Sequence, residues 1–256
     1  MTNASRVQFL PCKDGTRLAW QGRRGESGKA NLVWLGGFRA DMGGTKAMFL
    51  DDWAAQTGRT LTRFDYFGHG QSDGRFEDGT IGRWADDALT VLDQVTHGPQ
   101  ILVGSSMGGW VAALLAKARP ERLAAMMLIA PAPDFTEDLM WQSFPPSVRS
   151  AFETDGHWTQ DTPDGALVVT RALIEDGRAQ RVLDQPIAFE GPVRILHGMA
   201  DSDVPWTQGL RLVDVLTSPD VETTLIKGGD HRLSTPANLD RLADMLDRLC
   251  RQVEAR

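Results

Sequence analysis

The residues with the clearest chemical meaning surround Ser106. This serine stands in Gly104-Ser105-Ser106-Met107-Gly108, after the apolar run 101–103 and before the helix-forming run 110–115. That order predicts a strand, a sharp turn and a helix, with glycines at the two positions where the backbone closes on itself. Such a turn exposes a serine hydroxyl, and an exposed hydroxyl with a suitable base beside it is a nucleophile.

A second Gly-x-Ser-x-Gly motif, Gly70-Gln71-Ser72-Asp73-Gly74, carries less meaning. It also follows a strand-like run, residues 61–64, but the residues after it, 75–79, are polar and have no helical period. Without a helix behind it, this turn has neither the amide nor the dipole that stabilises a developing oxyanion. The pattern therefore predicts that Ser72 lies in a loop.

The nucleophile needs a base, and His231 is the predicted one. A serine hydroxyl reacts poorly near neutral pH unless a histidine accepts its proton and an acid orients that histidine. In proteins with this type of turn the three groups follow the order serine, acid, histidine, each in a loop after a strand. His231 comes after the strand-like run 222–226, whereas the rival His197 precedes every suitable acid and is assigned a structural role.

The predicted acid is Asp201, in the loop 197–205. Proteins of this type usually carry the acid three residues after a His-Gly pair, which here is His197-Gly198. Asp203 in the same loop is the alternative, although it is also placed to cap the helix that opens at residue 205. Asp230 is too close to His231 in sequence to orient its ring and is predicted to be a turn residue.

Two backbone amides are predicted to bind the oxyanion. The residue after the nucleophile, Met107, supplies one amide. The other is assigned to Phe38, because Gly36-Gly37-Phe38 follows the strand-like run 31–35 and lets the backbone approach closely. The alternative for these glycines is an ordinary tight turn.

Strand-like and helical segments alternate along the chain. This alternation predicts an α/β fold in one domain, residues 1–256, with a mostly parallel central sheet of about eight strands flanked by helices. The strand-like runs are 7–10, 17–21, 31–35, 60–64, 101–103, 124–130, 193–196 and 222–226, and the helical runs are 45–55, 81–95, 110–118, 206–216 and 239–253.

Residues 131–191 interrupt this rhythm. They contain no convincing strand and interleave aromatic residues with Asp, Pro and Gly, which predicts a helical cap inserted over the carboxyl edge of the sheet. Apolar residues of the cap either line a pocket or anchor the cap to the core, and both interpretations stay open. The residues predicted to contact substrate are Gly37, Trp110, Met140, Trp141 and Phe144.

Composition excludes several classes of protein. The formal net charge of −7 disfavours nucleic acid and anionic membranes as partners. No apolar run approaches the ~20 residues that span a bilayer, and no secretory signal is present, so a cytoplasmic location is predicted. Cys12 and Cys250 are not spaced for zinc or redox chemistry, and no nucleotide-binding or metal-ligand pattern occurs, so no cofactor and no metal are expected.

Several motifs together resemble a mitochondrial family of α/β-hydrolases that act as acyl-glucuronide esterases and palmitoyl-protein thioesterases. The similarity spans about residues 32–242 and is carried by Gly43-Gly44-Thr45-Lys46-Ala47, Arg63-Phe64-Asp65-Tyr66, the run from Gly98 to Trp110, Leu196-His197-Gly198-Met199, Val204-Pro205-Trp206 and Asp230-His231-Arg232. The resemblance implies an α/β-hydrolase fold, an acyl-enzyme on Ser106, and a small molecule or an acylated protein as substrate. It also implies the same triad and oxyanion amides. The family's transit segment has no counterpart in this chain, which agrees with the predicted cytoplasmic location.

Three alternatives remain at this level. A general short-chain carboxylesterase would use the same residues on smaller acyl groups. A serine aminopeptidase would need an anionic group for the substrate ammonium, and a ligand-binding homologue would keep the pocket without turnover. Haloalkane and epoxide chemistry is disfavoured because it needs a carboxylate at position 106.

Overall fold

A central eight-stranded sheet organises the protein. The computed structural model describes residues 6–162 and 165–255, and the strand order is β1-β2-β4-β3-β5-β6-β9-β10. The strands in these ranges are β1 Gln8–Pro11, β2 Arg17–Arg23, β3 Asn31–Leu35, β4 Thr60–Phe64, β5 Gln100–Ser105, β6 Leu123–Ile129, β7 His157–Thr162, β8 Gly165–Thr170, β9 Val193–Gly198 and β10 Val221–Ile226. Strand β2 pairs antiparallel with both β1 and β4, and the remaining pairs of the sheet are parallel. This mostly parallel sheet confirms the predicted fold class.

Helices cover both faces of this sheet. They are α1 Thr45–Thr57, α2 Ile81–Gln94, α3 Met107–Ala118, α4 Pro146–Thr154, α5 Arg171–Ala179, α6 Trp206–Val215 and α7 Pro236–Glu254. Alternate residues of β3 show the arrangement, because Val33 and Leu35 pack with α2 and α3 while Leu32 and Trp34 pack with α1 and α7. Both faces are buried, which explains why the parallel strands read as short continuous apolar runs.

No helix in the described part of the chain combines the length and the apolar character needed to cross a bilayer. The longest helix, α7, is amphipathic and buries one side against the sheet. Its start is fixed by Thr235, whose side chain accepts a hydrogen bond from the Asn238 amide, and by Pro236 in the first turn.

The inserted cap, residues 131–191, differs from the prediction in one respect. It contains a π-helical turn, Thr136–Trp141, and the helices α4 and α5, but also the antiparallel hairpin β7–β8. The helices agree with the prediction of a helical cap, but the expectation that this segment contains no strand is wrong. Strand β7 is mostly polar and exposed, so it lacks the apolar periodicity that reveals a buried strand, and backbone pairing with β8 defines it instead.

A buried carboxylate joins the two ends of the cap. Asp134 is fully buried and accepts hydrogen bonds from the amides of Val182 and Leu183 at 2.9 and 3.1 Å. The Arg181 guanidinium lies 3.7 Å away and also pairs with Asp138. These contacts join the beginning of the cap to the segment that leaves it.

We predict that Asp134→Ala lowers the free energy of unfolding by about 2–4 kcal/mol, because two buried amides lose their acceptor. The φ of 56° at this position adds strain for alanine. Thermal and urea unfolding measure the effect. The matched control is Asp184→Ala, which removes a largely exposed partner of Arg181 and is expected to cost less than about 1 kcal/mol. Equal stability losses in the two variants would contradict the role of Asp134 in joining the two ends of the cap.

Candidate active site

Ser106 lies in a strained turn between β5 and α3. Its φ of 55° and ψ of −117° are unfavourable for a residue with a side chain, so the surroundings must hold this conformation. They do so through the backbone, because the Ser106 amide donates to Ile129 O at 2.9 Å. A Cβ on Gly108 would overlap the Leu35 carbonyl, and a Cβ on Gly104 would overlap the Gly108 carbonyl. The glycines of the motif are therefore required by close packing.

The structure brings the three predicted catalytic side chains together. The Nε2 atom of His231 lies 3.0 Å from Ser106 Oγ, and its Nδ1 atom lies 2.7 Å from Asp201 Oδ2. A carboxylate only accepts, so Nδ1 carries the proton and the Nε2 lone pair faces the serine hydroxyl. This is the geometry of a base that removes the serine proton.

The Asp201 carboxylate is fully buried and receives more donors than the sequence indicated. Its Oδ1 atom accepts from the amides of Asp203 and Val204 at 2.9 and 2.8 Å. Its Oδ2 atom lies 3.3 Å from His197 Nε2 in addition to His231. Burial by itself raises the pKa of this carboxyl, but the hydrogen bonds from His197, His231 and Val204 outweigh burial and hold the pKa of Asp201 below its usual range. Asp201 therefore remains ionised beside His231.

His197 contributes to the site in a way that the sequence analysis missed. Its ring is fully buried, and its Nε2 atom lies 3.1 Å from Val204 O as well as near Asp201. The predicted structural role at the sheet edge is too narrow, because this histidine also contacts the acid. The only sequence signal was the four-residue spacing from His197 to Asp201, which by itself does not show that the side chains meet.

The loop after β3 lies against the nucleophile. Gly37 faces Ser106 so closely that a Cβ on Gly37 would lie 3.5 Å from the Ser106 Cβ and 3.4 Å from the Ser105 carbonyl oxygen. Phe38, the predicted oxyanion donor, is the next residue, and Met107 begins α3 on the other side of Ser106. The assignment of these two amides to the oxyanion stays a prediction, and the positions of both loops are compatible with it.

A cavity of about 530 Å³ opens beside Ser106 and His231. Gly37 and Phe38 line it, and its charged lining residues are Arg39, Asp41, Lys46 and Arg232. The Lys46 ammonium donates to the Arg232 carbonyl oxygen at 2.5 Å, so it joins α1 to the loop that carries His231. Burial lowers the pKa of Lys46.

Four of the five residues predicted to contact substrate lie outside the lining of this cavity. Trp110 is fully buried and donates from Nε1 to Gln180 O at 3.0 Å. Trp141 and Phe144 pack against Phe152, each with ring centroids 5.6 Å apart, and Met140 packs against the same core. These contacts correspond to the anchoring alternative. Gly37 alone among the five lines the cavity.

Among the described residues, Asp201, Asp203 and His231 have the spacing of metal ligands, with ligand atoms within 4.8 Å of one another. Two of them are already bound to each other, and His231 also contacts Ser106. Asp203 is exposed. Both nitrogen atoms of His231 already have hydrogen-bond partners, Asp201 and Ser106. A cation at this point would compete with the hydrogen bond that orients His231.

A nucleophile after β5, an acid after β9 and a histidine after β10, on a mostly parallel sheet, define the α/β-hydrolase class. The family model described as "Serine aminopeptidase, S33" matches residues 27–162. The chain belongs to this α/β-hydrolase family, within which it is similar to the palmitoyl-protein thioesterase ABHD10.

The similarity to ABHD10 extends over nearly the whole chain. Mouse ABHD10 is 35% identical over 95% of this chain and 83% of its own length, and human ABHD10 is 34% identical over 95% and 81%. The crystal structure of a putative hydrolase from Agrobacterium vitis S4 has a TM-score of 0.91 at 43% identity, covering 96% of this chain and 99% of that one. The solved mouse ABHD10 structure has a TM-score of 0.90 at 34% identity, covering 97% and 100%.

These relatives overturn one prediction. The mouse, bovine and human proteins are all named as mitochondrial, whereas the sequence analysis predicted a cytoplasmic location. The location prediction is therefore wrong. It rested on sequence patterns near residue 1, and such patterns do not determine where a protein acts.

We predict that Asp201→Asn slows covalent labelling of Ser106 by a fluorophosphonate about 10³- to 10⁴-fold, because an amide does not hold His231 in the reactive tautomer. Labelling rates measured on the folded protein report nucleophile activation without reference to a natural substrate. Asp203→Asn is the matched control and is expected to label at nearly the rate of the unmodified protein. Its exposed carboxylate accepts from Ser202 Oγ at 3.4 Å, whereas the carboxylate bound to His231 Nδ1 is that of Asp201. Unchanged labelling of Asp201→Asn would contradict its assignment as the acid.

Proposed function

We propose that this protein is a serine hydrolase that cleaves carboxylic esters or thioesters through an acyl-serine intermediate. The observation that carries the proposal is the position of His231, which bridges Ser106 Oγ at 3.0 Å and Asp201 Oδ2 at 2.7 Å. No other arrangement among the described residues combines a partly exposed serine on a sharp strand-to-helix turn with an oriented base.

The reaction follows from this geometry in two steps. Ser106 Oγ attacks the acyl carbon while His231 Nε2 takes its proton, and the amides of Phe38 and Met107 stabilise the oxyanion. The tetrahedral intermediate collapses when the alcohol or thiol leaves with the proton from His231. Water then attacks the acyl-serine by the same route and releases the acid. Asp201 stays ionised throughout and stabilises the imidazolium, in agreement with its lowered pKa.

The relatives support an activated acyl group as substrate. ABHD10 from mouse and human is named a palmitoyl-protein thioesterase, and this chain covers more than four fifths of each. We therefore propose an S-acylated protein or a small acyl ester, such as an acyl glucuronide, as the substrate class.

The family description also names a serine aminopeptidase, which is the second candidate. An aminopeptidase must bind the ammonium group of its substrate through an anionic group. The cavity beside Ser106 is lined by Arg39, Lys46 and Arg232 and, outside the triad, by the single acid Asp41. This balance of charge favours an ester or thioester over a peptide with a free amino terminus.

We predict that Ser106→Ala loses at least about 10⁴-fold in turnover of a nitrophenyl ester and is no longer labelled by a fluorophosphonate. The control is Ser72→Ala, in the second Gly-x-Ser-x-Gly motif. Ser72 Oγ donates to Asp65 O and accepts from the Ala19 amide, so its loss affects stability and not the chemistry. Full activity in Ser106→Ala would eliminate the mechanism.

A panel of matched esters and thioesters from acetyl to palmitoyl tests the substrate class. We expect the highest kcat/KM for long-chain thioesters. A preference for short acyl groups would remove the palmitoyl part of the proposal and leave a general carboxylesterase. Binding of acyl compounds without any turnover would identify a ligand-binding homologue.

A further inference from the structure

The loop that presents Phe38 contains a strained turn. The turn runs from Gly37 to Ala40, whose amide donates to the Gly37 carbonyl at 3.1 Å. Its third residue, Arg39, has a φ of 61°, a conformation usually taken by glycine or asparagine in turns. A residue with a longer side chain keeps this conformation only when neighbouring contacts fix it.

A buried histidine outside the triad supplies such a contact. The Arg39 amide donates to His69 Nε2 at 3.3 Å, and His69 is only 4% exposed. On the other side of the ring, Nδ1 lies 3.1 Å from the Phe67 carbonyl oxygen. The bond therefore ties the turn after β3 to the segment that follows β4.

These two contacts specify one protonation state. A carbonyl oxygen only accepts, so Nδ1 must carry a proton, and a backbone N–H only donates, so Nε2 must carry a lone pair. The neutral tautomer with its proton on Nδ1 satisfies both contacts. In an imidazolium the Nε2–H would face the Arg39 N–H, so that two donors would oppose each other. Burial lowers the pKa of His69, which agrees with the neutral form, although the Phe67 carbonyl and Asp41 act in the opposite direction.

Packing joins His69 to Phe38 as well. The Phe38 ring contacts Phe76 and Trp84 with centroids 4.9 and 5.8 Å apart, and the His69 ring contacts the same two side chains at 5.1 and 5.3 Å. The Trp84 indole N–H also donates to the Phe67 carbonyl at 3.1 Å, the acceptor that His69 uses. Packing against Phe76 and Trp84 fixes the ring of Phe38, and the hydrogen bond from the Arg39 amide to His69 fixes the peptide after Phe38.

We infer that His69 is a positioning residue for the oxyanion hole: by accepting from the Arg39 amide it holds the turn in which the Phe38 amide faces the acyl oxygen. This inference rests on the proposed function, because it assigns His69 to the reaction at Ser106. His69 touches neither the substrate nor the reacting atoms, and it acts through the backbone.

Two substitutions test the hydrogen bonds of the two His69 nitrogen atoms separately. In His69→Asn the amide nitrogen can still donate to the Phe67 carbonyl, but the side chain is too short to reach the Arg39 amide. In His69→Gln the longer side chain brings its oxygen near the position of Nε2 and keeps an acceptor. We expect His69→Asn to lose about 10- to 100-fold in kcat, with KM changed less than about 3-fold, because the oxyanion donor is displaced.

His69→Gln is expected to recover most of that loss. A trifluoromethyl ketone that mimics the tetrahedral intermediate should bind more weakly wherever kcat/KM is lower, so its affinity should fall in parallel with kcat/KM across the series. The control is His157→Asn, which alters an exposed histidine of the β7–β8 hairpin and should leave kinetics unchanged. A purely structural histidine would lower the melting temperature of both variants without a selective loss of kcat in His69→Asn.

The outcomes distinguish the inference from the proposed function. Turnover by the unmodified protein together with an unchanged kcat in His69→Asn overturns the inference alone. A folded, unmodified protein without turnover or labelling overturns both. If His69→Asn does not fold, nitrogen-15 NMR of the unmodified protein decides the matter, because the Nδ1-protonated neutral tautomer supports the role and any other state overturns it.

Discussion

The close approach of two backbone segments underlies the whole site. The turn at Ser106 presses against the end of β3, so that Gly108 meets the Leu35 carbonyl and Gly37 meets Ser105. Strands β3 and β5 are parallel neighbours, and their carboxyl ends therefore meet at one edge of the sheet. The register of β6, β9 and β10 brings the loops that carry Asp201 and His231 to the same edge. The chemistry thus depends on glycines that allow contact and on a sheet that aligns the strand ends.

Two histidines at this edge serve opposite purposes because their surroundings differ. His231 is partly exposed and is fixed in one tautomer by a buried carboxylate, so its Nε2 lone pair faces the Ser106 hydroxyl. His69 is buried among aromatic rings and faces a carbonyl and an amide, so it stays neutral and keeps one fixed acceptor. A buried carboxylate is costly unless several donors surround it, and Asp201 has two amides and two histidines. The polar groups around Asp201 therefore favour its ionised form and leave the Nε2 lone pair of His231 facing Ser106.

The sequence predicted the parts of this site that rest on local pattern. Eight strand-like runs predicted the sheet, and those from Asn31 onward were recognised because strands buried on both faces are short and apolar. The glycines around Ser106 predicted a turn that no larger residue allows. The hairpin β7–β8 escaped prediction because its first strand is mostly polar and exposed and is defined by pairing across the hairpin. The contacts of His69 with Arg39 and of His197 with Asp201 were not predicted for another reason. Each joins side chains or segments whose proximity depends on folding and is not encoded in a local pattern. Trp141 and Phe144 show the limit of hydropathy, because an apolar residue of a cap packs inward as readily as it lines a cavity.

The catalytic groups and most of the cavity wall come from different segments of the chain. Similarity to a known hydrolase therefore supports an inference about the type of reaction more strongly than one about the substrate. Ser106, Asp201 and His231 follow strands whose positions are fixed by the sheet, so a chain of this fold at 34% identity can keep them without keeping its other loops. The wall beside Ser106 comes from the segment after β3, the start of α1 and the residues after His231, which carry Arg39, Lys46 and Arg232. Lys46 and Arg232 stand in motifs by which the sequence resembles this family, whereas Arg39 stands outside those motifs. We therefore expect differences in leaving-group preference among these hydrolases to follow substitutions at Arg39 and at other wall residues outside the shared motifs, rather than at the residues that follow the aligned strands.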